Sequence, residues 1–194
     1  MAVEYINFKN QNYYLHSSIT KKGNPRFYFS LKKPSIPVPK IPKGYEIYEN
    51  ANGQVYLRKI LKSLITSAEL DTVYQSIIKY SKLNNVKVDL KKKHILLFIP
   101  DQDVVKLSIA LKSLAPHQNS NKITNALNDI LTYSAVMRFE LCDTEKRLFI
   151  PERCSYMGRE EMWIQIGESE KIVELCKKYL KHLGQESFFE LGIF

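Results

Sequence analysis

Lys21, Lys22, Arg26 and Tyr28 fall within eight residues, and Arg58 and Lys59 follow a second tyrosine-rich stretch, Tyr45 to Tyr56. Cations interleaved with aromatic rings suit a phosphate backbone and its bases: the cations displace counterions from phosphates, and a ring can lie against a base or sugar. The other chemistry-bearing residues converge less. Asp89-Leu90-Lys91 has the Asp-x-Lys form that certain nucleases carry on a core strand. Asp143, Glu145, Glu152, Glu160 and Glu161 cluster late in the chain, and two or three such carboxylates beside a lysine could hold Mg²⁺ and activate water. His16, His94, His117 and His182 stand apart, and Cys142, Cys154 and Cys176 form no Cys-x-x-Cys pair, so neither a metal nor a cofactor is expected. His182 suits the C-terminal dipole of a last helix. The chain has seven glycines, no Gly-rich phosphate loop and no Gly-x-Ser-x-Gly elbow, which sets aside nucleotide and serine hydrolysis. No catalytic residue is assigned.

Charge is unevenly spread. Residues 1–64 hold eleven Lys and Arg against three acidic residues, which is +8 of the net +9, together with ten of the chain's aromatic residues. The remainder is nearly neutral, so the basic bias belongs to one segment. At 194 residues, 44% hydrophobic and 25% charged, the chain can bury a core and does not read as disordered. The first residues lack the basic and apolar regions of a signal peptide, and the longest apolar run is Ile95 to Ile99, so no membrane span is expected. An odd, scattered set of cysteines suits a reducing cytoplasm.

The elements that must position these residues begin with strands. Tyr5 to Phe8, Tyr13 to Ile19 and Arg26 to Leu31 predict a three-stranded meander whose basic tip, Thr20 to Pro25, contains Gly23. Alternation puts Phe27 and Phe29 on one face and Arg26 and Tyr28 on the other, the exposed one. Four prolines in residues 34–42 enforce an extended spacer or strap. Gly44 to Lys59 predicts a hairpin turning at Asn50-Ala51-Asn52-Gly53, with Tyr48 facing Tyr56, Glu46 facing Arg58 and Ile47 facing Leu57.

Thr66-x-x-Glu69 is a capping box opening a helix over 67–82, with Leu70, Val73, Tyr74, Ile77 and Ile78 on its buried face. Val86 to Leu90 and Ile95 to Ile99 predict a hairpin turning at Lys91-Lys92-Lys93-His94, where the lysines are solvated. A helix capped by Asp101 follows, then one lined by Ile123, Ala126, Leu127, Ile130 and Leu131. Val136 to Leu141, Arg147 to Ile150 and Met162 to Ile166 read as strands. Arg138, Arg147, Arg153 and Arg159 are expected to pair across strands with Glu140, Asp143, Glu145 and Glu152, and Met162 and Trp163 to enter the core. Ser169 caps a last helix lined by Ile172, Val173, Cys176, Tyr179, Leu180 and Leu183 and ended by Gly184, after which Ser187 to Leu191 docks on the body. Leu97-Phe98-Ile99-Pro100-Asp101 recurs as Leu148-Phe149-Ile150-Pro151-Glu152, which raises a duplicated helix-hairpin unit and a four-stranded sheet with helices on one face.

Tyr14-Leu15-His16, the string Thr20 to Ser30, the strings Ile41 to Asn50 and Gly53 to Lys59, and His182 to Phe189 resemble a group of bacterial proteins without an established activity. The resemblance implies a bacterial origin and carries over no functional residue.

The expected fold is α+β: a basic antiparallel β module over 1–64, made of meander, strap 34–42 and hairpin, beside a helix and antiparallel-sheet body over 65–194. The expected function is non-catalytic nucleic-acid binding or an accessory role in the cytoplasm, with DNA or RNA held by Lys21, Lys22, Arg26, Tyr28, Arg58 and Lys59. An acidic protein partner is the alternative, because both partners are anionic. A metal-dependent nuclease or phosphoesterase stands third, and it requires Asp89 and Lys91 to converge with another carboxylate.

Overall fold

A computed structural model describes residues 2–114, 116–117, 119–157 and 160–192. The fold is α+β, with ten strands in antiparallel sheets and four α-helices among the described residues. By contacts the chain divides into two units, Met1–Leu61 joined by Gln102–Thr132, and Lys62–Asp101 joined by Tyr133–Phe194. The segment 102–132 therefore groups with the N-terminal residues rather than with the body that flanks it in sequence.

The first unit opens with the meander β1 (Glu4–Ile6), β2 (Asn12–Ile19) and β3 (Pro25–Ser30). Thr20 and Asn24 close its second turn, with Gly23 at φ 81° taking the left-handed conformation. The hairpin β4 (Tyr45–Glu49) and β5 (Val55–Lys59) has the register its turn predicts: Glu46 faces Arg58, Ile47 faces Leu57 and Tyr48 faces Tyr56. Gly53 at φ 79° completes that turn. Between the two, the prolines act as a strap: Val38 is buried with Leu15, Phe29 and Val55, and its carbonyl accepts a hydrogen bond from Val3 N at 2.9 Å.

Helices α2 (Val104–Leu114) and α3 (Ser120–Ile130) pack on each other in the same unit. Asp103, not Asp101, caps α2, accepting at Oδ1 from Lys106 N at 3.0 Å. The Lys9 ammonium donates to the Asp129 and Leu131 carbonyls at the end of α3, at 3.3 and 3.2 Å, a cation placed where the helix dipole favours it. Gln102 and Thr132 hydrogen-bond reciprocally, at 2.8 and 3.0 Å, where the segment begins and ends.

The second unit is built on one five-stranded antiparallel sheet in the order β10-β9-β8-β7-β6, formed by β6 (Lys87–Leu90), β7 (His94–Pro100), β8 (Tyr133–Asp143), β9 (Leu148–Met157) and β10 (Glu160–Gln165). Helices α1 (Ser67–Tyr80) and α4 (Ile172–Tyr179) pack together and cover one face, burying Ile95, Leu97, Met137, Phe139 and Phe149. The α1 capping box is present in both directions: Thr66 N donates to the Glu69 carboxylate at 2.9 Å and Glu69 N to Thr66 Oγ1 at 3.3 Å.

Several features depart from what the sequence predicts. On α1, Val73 and Ile77 are buried, but Ile78 is 77% exposed and Tyr74 is exposed too, while Ser76 lies inside. The buried line of the helix runs through 73, 76 and 77, and the apolar stripe is wider than that line. Residue Lys171 rather than Ser169 occupies the N-cap of α4, Val173 is exposed and Leu175 takes its place in the core. The last helix closes in a 3₁₀ turn before Gly184, and of the tail aromatics Phe188 docks while Phe189 is exposed. Met162 is exposed, and Trp163 lies beneath the Arg138 guanidinium, 4.4 Å from its ring, rather than in the core.

Ion pairing is partly as expected. Arg138 donates to Glu152 across β8 and β9, at 2.6 and 3.2 Å. Arg147 pairs instead with Glu69 on α1, and Arg153 donates to the Leu191 carbonyl at 2.9 Å. Arg159 lies outside the described residues. In the lysine turn, Lys93 pairs with Glu140 on β8, and His94 Nε2 is 3.3 Å from the same carboxylate. His182 lies in the closing 3₁₀ turn, where its ring is 2.8 Å from Ser187 Oγ, and burial, then Lys181, hold it below the ordinary histidine value. The two Leu-Phe-Ile-Pro hairpins are adjacent in one sheet, yet α1 packs in the second unit with α4 and α3 in the first with α2, so the helices of the two units are not equivalent.

Candidate nucleic-acid interface

The charge asymmetry follows the units. Met1–Leu61 and Gln102–Thr132 contain thirteen Lys and Arg against five Asp and Glu, so this unit carries +8. Its acidic groups in the β module are engaged locally. Glu46 accepts from Arg58 Nε at 2.8 Å and from Leu61 N, and Glu49 accepts from Phe8 N and from the Tyr5 hydroxyl. Burial, then the hydrogen bond to Glu49, raise the Tyr5 hydroxyl above the ordinary tyrosine value. Among the described residues, no carboxylate forms an ion pair with Lys21, Lys22, Arg26 or Lys59.

Strand alternation sets the outer face of the meander as read from sequence. Phe29 is buried and Phe27 half-buried, whereas Arg26 and Tyr28 are exposed. The pairing of β2 with β3 places His16 opposite Tyr28, and the two rings stack with centroids 5.2 Å apart and planes 14° apart. The Arg26 guanidinium lies 5.8 Å from the centroid of the Tyr28 ring. Lys21 and Lys22 are exposed at the tip of the same hairpin.

The second hairpin repeats the arrangement. Tyr48 and Tyr56 stack with centroids 6.3 Å apart, and the Arg58 guanidinium lies 4.0 Å from the centre of Tyr48. Arg58 is therefore held by a carboxylate and a ring, and is less available to a phosphate than the tip lysines. Lys59 is exposed at the end of β5, opposite Tyr45.

β3 packs against β5, and between them opens a cleft of about 400 Å³ lined by Arg26, Phe27, Tyr28, Phe29, Val55, Tyr56 and Leu57. The structure thus brings Arg26 and Tyr28 to one cleft, leaves Lys21 and Lys22 at the adjoining hairpin tip, and puts Arg58 and Lys59 farther along β5 from the cleft lining. His16, Tyr48 and Tyr56 join the site although the cation pattern does not select them. The signal for Tyr56 is the turn register, which already sets it opposite Tyr48. For His16 the signal is the Thr20 to Asn24 turn, which pairs it with Tyr28.

The metal-dependent alternative finds no assembled centre: among the described residues no three His, Cys, Asp or Glu side chains gather as a metal site. Asp89 faces Leu96 across β6 and β7, and Lys91 is exposed in the turn. The Glu160 side chain is outside the described residues. Burial pushes the Cys176 thiol up to about 12, which removes it as a nucleophile. No helix among the described residues is long and apolar enough to cross a membrane. No protein-family model, curated protein or solved structure matches the chain.

Proposed function

We propose that the protein is a non-catalytic nucleic-acid-binding or accessory protein of the cytoplasm that uses the outer face of its N-terminal β module. The observation that carries this reading is the group Arg26, Tyr28 and His16. An exposed ring is stacked on His16, flanked by a cation that has no ion-paired carboxylate among the described residues, and set beside a hairpin tip bearing two more such cations. Cations of this kind bind phosphate with release of counterions, and the pre-stacked ring is ordered before a ligand arrives. Such contacts are largely independent of sequence, because they address phosphates.

A titration of labelled duplex DNA, single-stranded DNA and RNA at about 50 and about 200 mM salt tests the reading, with affinity expected to fall by orders of magnitude across that range. Absence of retention on any nucleic acid at the lower salt would falsify it and leave the same cations to an acidic protein partner.

A further inference from the structure

The cleft between β3 and β5 is bounded by two strand edges that no backbone hydrogen bond joins, among the described residues. Which groups face that gap follows from the ladders. Leu15 N donates to the Val3 carbonyl on the β1 side, so by alternation Tyr14, His16 and Ser18 bond to β3, through Ser30, Tyr28 and Arg26. The N–H and C=O groups of Phe27 and Phe29 are left pointing outward. In the second hairpin, Asn50 bonds to Gln54 and Ile60 to Gly44, so Tyr56 and Arg58 bond inward to β4 and the main-chain groups of Val55 and Leu57 point outward. All four residues line the cleft.

The cleft therefore combines two exposed rings, Tyr28 and Tyr56, a cation, Arg26, and two rows of main-chain donors and acceptors. Each ring is already stacked on a partner in its own sheet, Tyr28 on His16 and Tyr56 on Tyr48, so neither fills the gap. A flat aromatic ligand with hydrogen-bonding edges and an attached anion matches all three kinds of group, and an unpaired nucleobase with its phosphate is such a ligand. A base inside a duplex is not, because its faces are stacked and its pairing edge is occupied.

Resting on the reading above, we propose that this cleft takes an unpaired base stacked against Tyr28 or Tyr56, with Arg26 on its phosphate, so that the ligand of the site is single-stranded. The phosphate contacts alone would bind either form.

The test uses the full chain and three labelled probes: an oligothymidine of about 12 nucleotides, within the length one such module covers, an abasic strand of the same phosphate count, and a duplex of that length. The intact strand is expected to bind about 5- to 150-fold more tightly than the abasic one, the range for loss of one stacked base. Tyr28→Ala and Tyr56→Ala should each weaken the intact strand and leave the abasic strand unchanged, while Tyr56→Phe retains wild-type affinity. Urea unfolding of each variant checks that the fold persists, which the exposure of both rings favours. Equal, salt-dependent binding of all three probes would overturn the base site and leave the electrostatic reading standing. Binding of none would remove that reading itself. Displacement of the oligothymidine by a poly-glutamate peptide that binds more tightly would also overturn the proposal, in favour of strand addition at the two edges.

Discussion

Arg147, in the turn between β8 and β9, donates from Nε to the Glu69 carboxylate in the first turn of α1 at 2.8 Å, 78 residues away in sequence. It also donates to the Leu64 carbonyl, and it does so from a left-handed backbone, φ 53°. Asp143 shapes that turn by accepting from Glu145 N and Lys146 N at 2.9 and 2.7 Å. At a backbone position that glycine adopts more easily, this arginine's side chain joins the sheet to the helix.

Two substitutions separate the backbone from the side chain. Arg147→Ala loses the guanidinium and keeps the left-handed strain, whereas Arg147→Gly loses the guanidinium and relieves it. Both should lower the urea midpoint, and Gly should be the milder by about 1–2 kcal/mol. Equal midpoints would mean that the turn relaxes freely and the strain is not held.

Stability should fall on acidification in two steps. Burial, then Arg138, hold His94 below the ordinary 6.5 in spite of Glu140, and His182 is lowered likewise. The folded chain then binds fewer protons than the unfolded one, so this contribution is complete above pH 6.5 and lost as pH falls through the lower folded values. Burial raises Glu69 and Glu140, but hydrogen bonds from Arg147 and Thr66 to the first, and from Lys93 to the second, outweigh it. Their share is complete above pH 4.5 and lost below it. Urea midpoints measured from pH 8 to pH 3 should show both declines, and His94→Gln should flatten the upper one. An upper limb unchanged in that variant would assign it to His182 alone.

The neighbouring isoleucines of α1 should behave oppositely. Ile77→Ala removes a buried side chain and should cost about 2–5 kcal/mol, whereas Ile78→Lys replaces one that is 77% exposed and should stay within about 0.5 kcal/mol. Chemical denaturation of the two variants reads this directly, and a large loss at Ile78 would contradict the helix facing.

Local rules made much of the N-terminal module legible. The Asn-Ala-Asn-Gly turn specifies the register of β4 and β5 to the residue, and strand alternation places Arg26 and Tyr28 outside. The same rules misjudge what depends on remote partners. Periodicity cannot tell Ile77 from Ile78, since both lie near one stripe and only the side of the helix that meets the core decides between them. Nor does it show that Trp163 lies under Arg138, or that Arg147 prefers a helix to its neighbouring strand. The cleft is half legible: each hairpin follows from its own turn, but the packing of β3 against β5 is a long-range event no turn encodes.

Lys21, Lys22 and Arg26 replaced together by Ala should weaken binding to every nucleic acid and flatten the slope of log K against log salt by up to about three units, about 0.9 for each phosphate contact on duplex DNA. All three are exposed, and the unfolding midpoint should hold. A slope equal to that of the wild type would place the phosphate contacts elsewhere on the chain.

The pairing of Pro100 with Tyr133 and the mutual hydrogen bonds of Gln102 and Thr132 bring both ends of the intervening segment to one point. In engineering terms that segment is a cassette on the β7–β8 hairpin, closed at its base before either helix begins. A short turn could stand in its place with the sheet register intact, and the N-terminal unit would then lose the helix end that Lys9 holds. Such an excision would leave one half of the molecule whole and strip the other, although the deleted residues lie within the sequence of the half that survives.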